Sequence, residues 1–156
     1  MTAGPMIRLP SCDTVSDLYV RSCQWKGRQI LFEDDRGVAF SGDDALNRSL
    51  RFASALDAMG VAAGEVVAFL CLGSATHAVA WFGTVSGGRV ACNLHVRGET
   101  AERIADTLKW LDARVVVCEY AVHQRRPSIQ VTERVTCGGN ADQRRLAGSF
   151  QGSSAS

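Results

Sequence analysis

The chain has 156 residues, 46% of them apolar, and a formal net charge of +1. This length suggests one domain with enough apolar side chains for a core, and the near-neutral charge excludes strong attraction to nucleic acid or anionic lipid. Residues 1–12 lack the basic start and long apolar stretch of a signal peptide, so we interpret them as a loose leader. Glycine and polar residues interrupt the apolar stretch 66–85, so no membrane span is predicted.

The first ordered elements predicted along the chain are a short helix and a β-hairpin. Asp13–Gln24 has the apolar spacing of a short helix. Two apolar runs, 30–33 and 38–40, flank the segment Asp34–Gly37, whose aspartates and glycine are typical of a hairpin turn. The neighbouring carboxylates of this turn are therefore interpreted as turn chemistry and not as a catalytic pair.

From Ser41 to Cys118 the pattern alternates between helices and apolar strands. Helices are predicted to begin at the capping residues Ser41, Ser74 and Thr100, and the first of them ends at Gly60. The intervening apolar runs suit strands that are covered on both faces. These runs are 66–72, 90–92 and 114–118. The order predicts an α/β fold, a three-layer and mostly parallel sheet with flanking helices.

Several apolar side chains on these helices are assigned to packing. Trp81 and Trp110 are predicted to lie in a core or an interface, because their neighbours are apolar. The first long helix carries its apolar stripe at helical spacing. The stripe consists of Leu46, Leu50, Ala53, Leu56 and Met59.

Residues 124–156 keep neither helical nor strand periodicity and end in a Gly/Ser-rich run. This composition predicts a disordered tail that follows an ordered domain spanning residues 13–123. Arginines outnumber acidic residues in the tail, but Phe150 is its only aromatic residue. A solvated tail is therefore favoured over a nucleic-acid surface.

Glycine-rich segments in the chain do not complete a nucleotide-binding motif. Gly83–Gly88 has the spacing of a P-loop, but Arg89 and Val90 replace Lys and Ser/Thr, and the segment closes a helix instead of opening one. We interpret it as a helix-to-strand turn. The first βα turn, Cys71–Thr76, contains one glycine, which argues against a dinucleotide site. No serine has the flanking glycines of a nucleophile elbow, although a catalytic set whose members meet only in space stays open.

The six cysteines form no CxxC pair and are interpreted as reduced, structural thiols of a cytoplasmic protein. Cys92 with His95, and Cys118 with His123, follow strand ends and could in principle converge as metal ligands. Ordinary packing is favoured, and no metal site is assigned. A redox or metal protein built on Cys71, Cys92, Cys118 and His95 remains a further alternative.

The run from Phe40 to Val122 resembles the N-terminal region of the AMP-dependent synthetase/ligase family, the adenylate-forming acyl-CoA synthetases. The matching pieces occur in the family's order, after a hairpin strand that leads into the long helix. Leu56–Ala68 is similar to "ALRALGVRPGDRVA", Ala78–Gly88 to "AWFGALRAGAV", and Glu102–Cys118 to "ELAYILEDSGARVLV". Asn93–Arg97 stands where the family has "NPRL"-like loops.

The resemblance implies an enzyme that converts a carboxylic acid and ATP to an acyl-adenylate and then to acyl-CoA. ATP, Mg and coenzyme A are implied for the complete enzyme, and none is assigned to this chain alone. The family's phosphate loop, its Thr-Gly-Asp and its C-terminal lysine lie downstream of the matched region and have no counterpart here. No catalytic residue is therefore assigned. The candidate ligand-side loop contains Asn93, His95 and Arg97, with a plain surface connection as the simpler interpretation.

These observations favour an N-terminal fragment of an acyl-CoA synthetase that is inactive alone. The Arg-, Gly- and Ser-rich tail suggests the hypothesis that a frame change near Gln124 truncated a longer synthetase. Uncovered strand edges predict self-association or pairing with a complementary synthetase piece. The alternatives are a stand-alone small α/β binding module and one piece of a split synthetase.

Overall fold

The computed structural model describes residues 13–95, 97–119 and 133–137. Its helices are α1 Val15–Lys26, α2 Gly42–Ala58, α3 Ala75–Ser86 and α4 Ala101–Trp110. Its strands are β1 Ile30–Glu33, β2 Ala39–Ser41, β3 Val66–Leu70, β4 Val90–Asn93, β5 Val115–Glu119 and β6 Glu133–Cys137. β1 and β2 form the predicted antiparallel hairpin, and β3 to β6 form a parallel sheet in the order β4-β3-β5-β6.

Helix boundaries follow the capping residues that the sequence indicates. The hydroxyls of Ser41, Ser74 and Thr100 each accept a hydrogen bond from the backbone N–H three residues along the chain. This contact satisfies one of the N–H groups that a helix start leaves without a partner. Gly60 follows the end of α2 with φ +71°, a conformation that glycine adopts at little cost. The predicted caps are therefore confirmed.

The sheet is covered on both faces, which confirms the predicted three layers. Side chains of β3 and β5 alternate between the two faces because successive residues of a strand point in opposite directions. One face packs against α2 and α3 and buries Phe69 and Val117 with Phe52 of α2. The other face packs against α4 and buries Val116 with Ile104.

α1 and the hairpin form a separate apolar cluster beside α2 and α3. The ring of Tyr19 stacks on Phe82 with 4.1 Å between the ring centroids. Ser49 Oγ donates to the carbonyl oxygen of Val79 at 2.8 Å, so the Tyr19 hydroxyl is the donor in its 2.7 Å contact with Ser49. Burial raises the pKa of Tyr19 well above its usual value. One chain of hydrogen bonds thus joins α1, α2 and α3.

Two apolar side chains that were assigned to packing are exposed. Leu50 is 54% exposed, because α2 turns Ser49 and Phe52 toward α3 instead. α2 and α3 approach closely at Gly83, and only small groups fit at that contact. Trp110, at the end of α4, is 83% exposed, so it does not belong to a core of the described part of the chain, and its predicted place in an interface stays a prediction. Trp81 packs against the buried cluster between α2, α3 and the sheet, as predicted.

The prediction of a disordered segment from residue 124 onward is wrong for β6. Glu133–Cys137 pairs in parallel with β5, in a register that runs from Val115–Glu133 to Glu119–Cys137. β5 would otherwise present unpaired N–H and C=O groups along a sheet edge, which a short extended segment can satisfy. The run 133–137 contains Glu, Arg and Thr, so it lacks the continuous apolar sequence that predicted β3 and β5. The leader 1–12 and the rest of the predicted tail lie outside the described residues.

Candidate functional site at the carboxyl edge of the sheet

The sheet has a topological switch point between β3 and β5. From β3 the chain passes through α3 to β4 on one side, whereas β5 is followed on its other side by β6. Open α/β sheets bind ligands outside the carboxyl ends of the two strands where the order reverses. Leu70 pairs with Cys118, so the next residues, Cys71 and Glu119, flank this point. We call this position the switch-point edge.

The β1–β2 hairpin turn lies against the switch-point edge. Arg36 Nη2 donates to Glu119 Oε2 at 3.2 Å. Asp34 Oδ2 accepts from the backbone N–H of Ala75 at 3.2 Å, and its Oδ1 accepts from the N–H groups of Arg36 and Val38 at 3.0 Å each. The turn that the sequence predicted as a plain hairpin connection therefore connects the hairpin to α3 and β5.

These contacts shift the protonation equilibria of the turn. Partial burial acts to raise the pKa of Asp34. Hydrogen bonds from the N–H groups of Val38, Ala75 and Arg36, together with the Arg36 charge, act to lower the pKa and have the larger effect. The pKa of Asp34 therefore lies below its usual value. The hydrogen bond to Glu119, followed by the charge of that carboxylate, raises the pKa of Arg36. Asp34 and Arg36 are both charged at neutral pH.

The N-terminus of α3 is occupied by the chain's own groups. Ser74 Oγ accepts a hydrogen bond from the N–H of His77 at 3.1 Å, and Asp34 Oδ2 accepts one from the N–H of Ala75. A helix N-terminus with unoccupied N–H groups can hold a phosphate. Here a carboxylate already fills that place, so this helix start does not supply a phosphate site.

The predicted ligand-side loop lies one strand away from the switch-point edge, after the outer strand β4. Asn93 Oδ1 and His77 Nε2 are 3.0 Å apart, which joins the end of β4 to the first turn of α3. His95 and Arg97 are exposed and make no hydrogen bond or ion pair with another described residue. The structure thus places Asn93 in contact with His77, whereas His95 and Arg97 make no such contact with a described residue. The role of this loop as a ligand-side loop stays a prediction.

Sequence reasoning missed four polar residues at this edge. Asp34 and Arg36 were assigned to a turn, and His77 was not singled out. The ring of His77 lies 5.3 Å from that of Phe69, which holds it over the end of β3. An acidic residue at the end of a continuous apolar strand, as in Val115–Glu119, was the available signal for Glu119.

The cysteines near the strand ends do not converge. Cys71 packs on the α2/α3 face of the sheet, whereas Cys118 is buried on the α4 face. Cys23, Cys71, Cys92 and Cys118 form no disulfide. Among the described residues, no group of three or more His, Cys, Asp or Glu side chains is arranged to hold a metal ion. His123, the predicted partner of Cys118, lies outside the described residues.

The glycine-rich segment closes α3 and leads into β4, as predicted: residues 83–86 form the last turn of the helix, and Gly87 and Gly88 form the turn to the strand. Arg89, at the position of a P-loop lysine, is buried and donates through Nε and Nη2 to the carbonyl oxygen of Val61 at 2.9 and 2.6 Å. Arg89 also pairs with Asp57. It connects α2 to the amino end of β4, the end of the sheet opposite the switch-point edge.

Among the described residues, no helix is both long enough and apolar enough to cross a bilayer.

Comparisons with known proteins place these features in a family. The model of a family described as "AMP-binding enzyme" matches residues 20–151. No curated protein sequence matches the chain. The match beyond Gln124, together with β6, argues against a frame change at that residue.

Several solved structures share the fold of this chain. A benzoate CoA ligase from Burkholderia xenovorans LB400 matches with a TM-score of 0.71 and 21% identity over 79% of this chain and 25% of the ligase. VinN matches with a TM-score of 0.69 and 23% identity over 79% of this chain and 33% of VinN. MatB from Rhodopseudomonas palustris matches with a TM-score of 0.63 and 22% identity over 78% of this chain and 25% of MatB. The chain therefore spans about a quarter to a third of the structures it resembles.

Proposed function

Because the chain belongs to the AMP-binding enzyme family, we propose that it is the N-terminal portion of an ATP-dependent acyl-CoA synthetase and is catalytically silent alone. The complete enzyme would convert a carboxylic acid to an acyl-adenylate and then to acyl-CoA. The observation that carries this proposal is the match of the layered β-α-β unit to 79% of this chain but only 25% of a benzoate CoA ligase.

The local chemistry supports the proposal that the chain is catalytically silent alone. Stabilising the charge that develops on ATP phosphates requires cations and unoccupied N–H donors at the reacting group. At the switch-point edge, Arg36 is already paired with Glu119, and Asp34 fills the N-terminus of α3. These residues do not fit a triphosphate. ATP, Mg and coenzyme A are therefore assigned to the complete enzyme, and the ATP-bound structure of MatB supports ATP for the family.

We further infer a polypeptide partner that carries the rest of the synthetase. Strand β4 is an outer strand of the described sheet, and Val90 on it is 50% exposed. Trp110 and Leu50 are also exposed. An outer strand presents backbone N–H and C=O groups with which another chain can pair, and such pairing would also cover apolar side chains near it. A stand-alone binding module is the second candidate. The thiol state of the described cysteines favours the cytoplasm for either.

The test is acid-dependent exchange of labelled pyrophosphate into ATP, measured on the purified chain with a panel of aromatic, aliphatic and dicarboxylic acids. We expect no exchange above the no-acid control. Co-expression with polypeptides encoded beside this gene is then screened for restored exchange. Acid-dependent exchange by the chain alone, co-eluting with it through two chromatography steps, would refute the proposal.

A further inference from the structure

Glu119 carries a buried oxygen that accepts no hydrogen bond from any described residue. The residue is 1% exposed, and its Oε1 has no hydrogen-bond partner among the described residues. Its other oxygen, Oε2, accepts from Arg36. Buried carboxylate oxygens are normally paired, because leaving one without a donor costs more than the typical bond contributes.

The charges around this oxygen favour a cationic donor over a neutral one. Arg36 is basic and interacts with three acidic residues. These are Asp34, Asp35 and Glu119. The backbone N–H groups of the turn and of α3 satisfy Asp34 but do not reach Glu119 Oε1. These four residues, three acidic and one basic, therefore carry an excess of negative charge.

The position of Glu119 also points to a ligand. It ends β5 at the switch point, where parallel sheets bind small groups. The Arg36 side chain, which pairs with Glu119, is 37% exposed, so one partner of the buried carboxylate reaches solvent. Burial, an unused acceptor and topology are independent observations that coincide here.

We propose that Glu119, with the turn Asp34–Arg36, forms a binding site for a guanidinium or primary ammonium group that donates to Glu119 Oε1. The group belongs either to a basic side chain of a partner polypeptide or to a small free cation. The site is independent of the proposed synthetase activity, because no step of adenylation is assigned to it.

The experiment follows the side-chain carboxyl carbons of the full chain by ¹³C NMR, with glutamate labelled at Cδ and each signal assigned by through-bond correlation. Methylguanidinium chloride is added, and tetramethylammonium chloride, which has the same charge but no N–H donor, serves as the matched salt. We expect the Glu119 signal to shift with saturation under methylguanidinium and not under tetramethylammonium. The signal of Glu33, which is exposed, should show only a small linear shift in both series, caused by the rising ionic strength.

Two variants and a second probe sharpen the result. Glu119→Gln should weaken methylguanidinium binding by about tenfold or more, because a bond between two charged groups is lost. Glu33→Gln should leave binding unchanged. N-acetyl-arginine methylamide distinguishes the sources: binding equal to that of methylguanidinium supports a partner's side chain, and binding of the smaller probe alone supports a free cation. A Glu119 signal that drifts linearly, or responds equally to tetramethylammonium, overturns the proposal, and this measurement requires no variant to fold.

Discussion

Replacing Gly83 with alanine tests how closely α2 and α3 pack. A Cβ built at Gly83 would lie 2.5 Å from the backbone oxygen of Ser49 and 3.2 Å from Cβ of Phe52. The backbone oxygen cannot rotate away, so the helices would have to separate. Helix propensity alone predicts the opposite sign, because alanine stabilises a helix interior by about 1 kcal/mol relative to glycine.

The magnitude follows from the competition between these two effects. Overpacking of a well-packed contact typically costs about 1–3 kcal/mol, and more where backbone must move. Because the contact is with backbone, we take the upper end of this cost, about 3 kcal/mol; the opposing gain is about 1 kcal/mol, so we expect Gly83→Ala to lower the free energy of unfolding by about 2 kcal/mol. This loss is a substantial part of the ~5–15 kcal/mol that stabilises a typical domain.

The assay is urea unfolding followed by circular dichroism and tryptophan fluorescence. Ala78→Gly, on the half-buried side of α3, is the matched control because it measures helix propensity in the same helix. We expect that control to destabilise by about 1 kcal/mol. An increase in stability for Gly83→Ala, equal and opposite to the control, would refute the close contact.

Three further predictions concern hydrogen bonds and pH. Tyr19→Phe removes the donor to Ser49 and should cost about 1 kcal/mol in the same urea assay, with unchanged circular dichroism. Arg89→Met leaves the carbonyl oxygen of Val61 without its buried donor and should cost roughly 1–3 kcal/mol, whereas equal stability would show that this arginine is dispensable. The pKa of Asp34 is lower in the folded chain than in the unfolded chain, so its contribution to stability is present above the unfolded value and is lost as pH falls through the folded value. Stability measured from pH 6 downward should therefore fall less steeply in Asp34→Asn, and parallel curves for the two proteins would contradict the assignment.

The exposed apolar residues of the outer strand and helices bear on the solution behaviour of the chain. Because Val90 and Trp110 are exposed, we expect the purified chain to self-associate with rising concentration. A concentration-independent monomer in sedimentation velocity would favour the stand-alone module over a synthetase portion that lacks its complement.

Most secondary structure was predictable because its causes are local. Three helix starts are predicted by residues whose side chains cap the N–H three residues along the chain: Ser41, Ser74 and Thr100. The continuous apolar runs of β3 and β5 predict strands that are covered on both faces. β6 was missed because its pairing depends on the open edge of β5, which is not a property of its own five residues.

The sequence by itself determined the α/β order, the caps, the helix end at Gly87–Gly88 and the family resemblance, since each depends on neighbouring residues or on a pattern kept in register. Tertiary structure alone decided that Leu50 faces outward and that Arg36 meets Glu119 across 83 residues of chain. It also decided that the switch point lies between β3 and β5, because strand order arises from crossovers and not from the strands themselves. Contacts between distant segments depend on the balance of packing over the whole core, which no local pattern records.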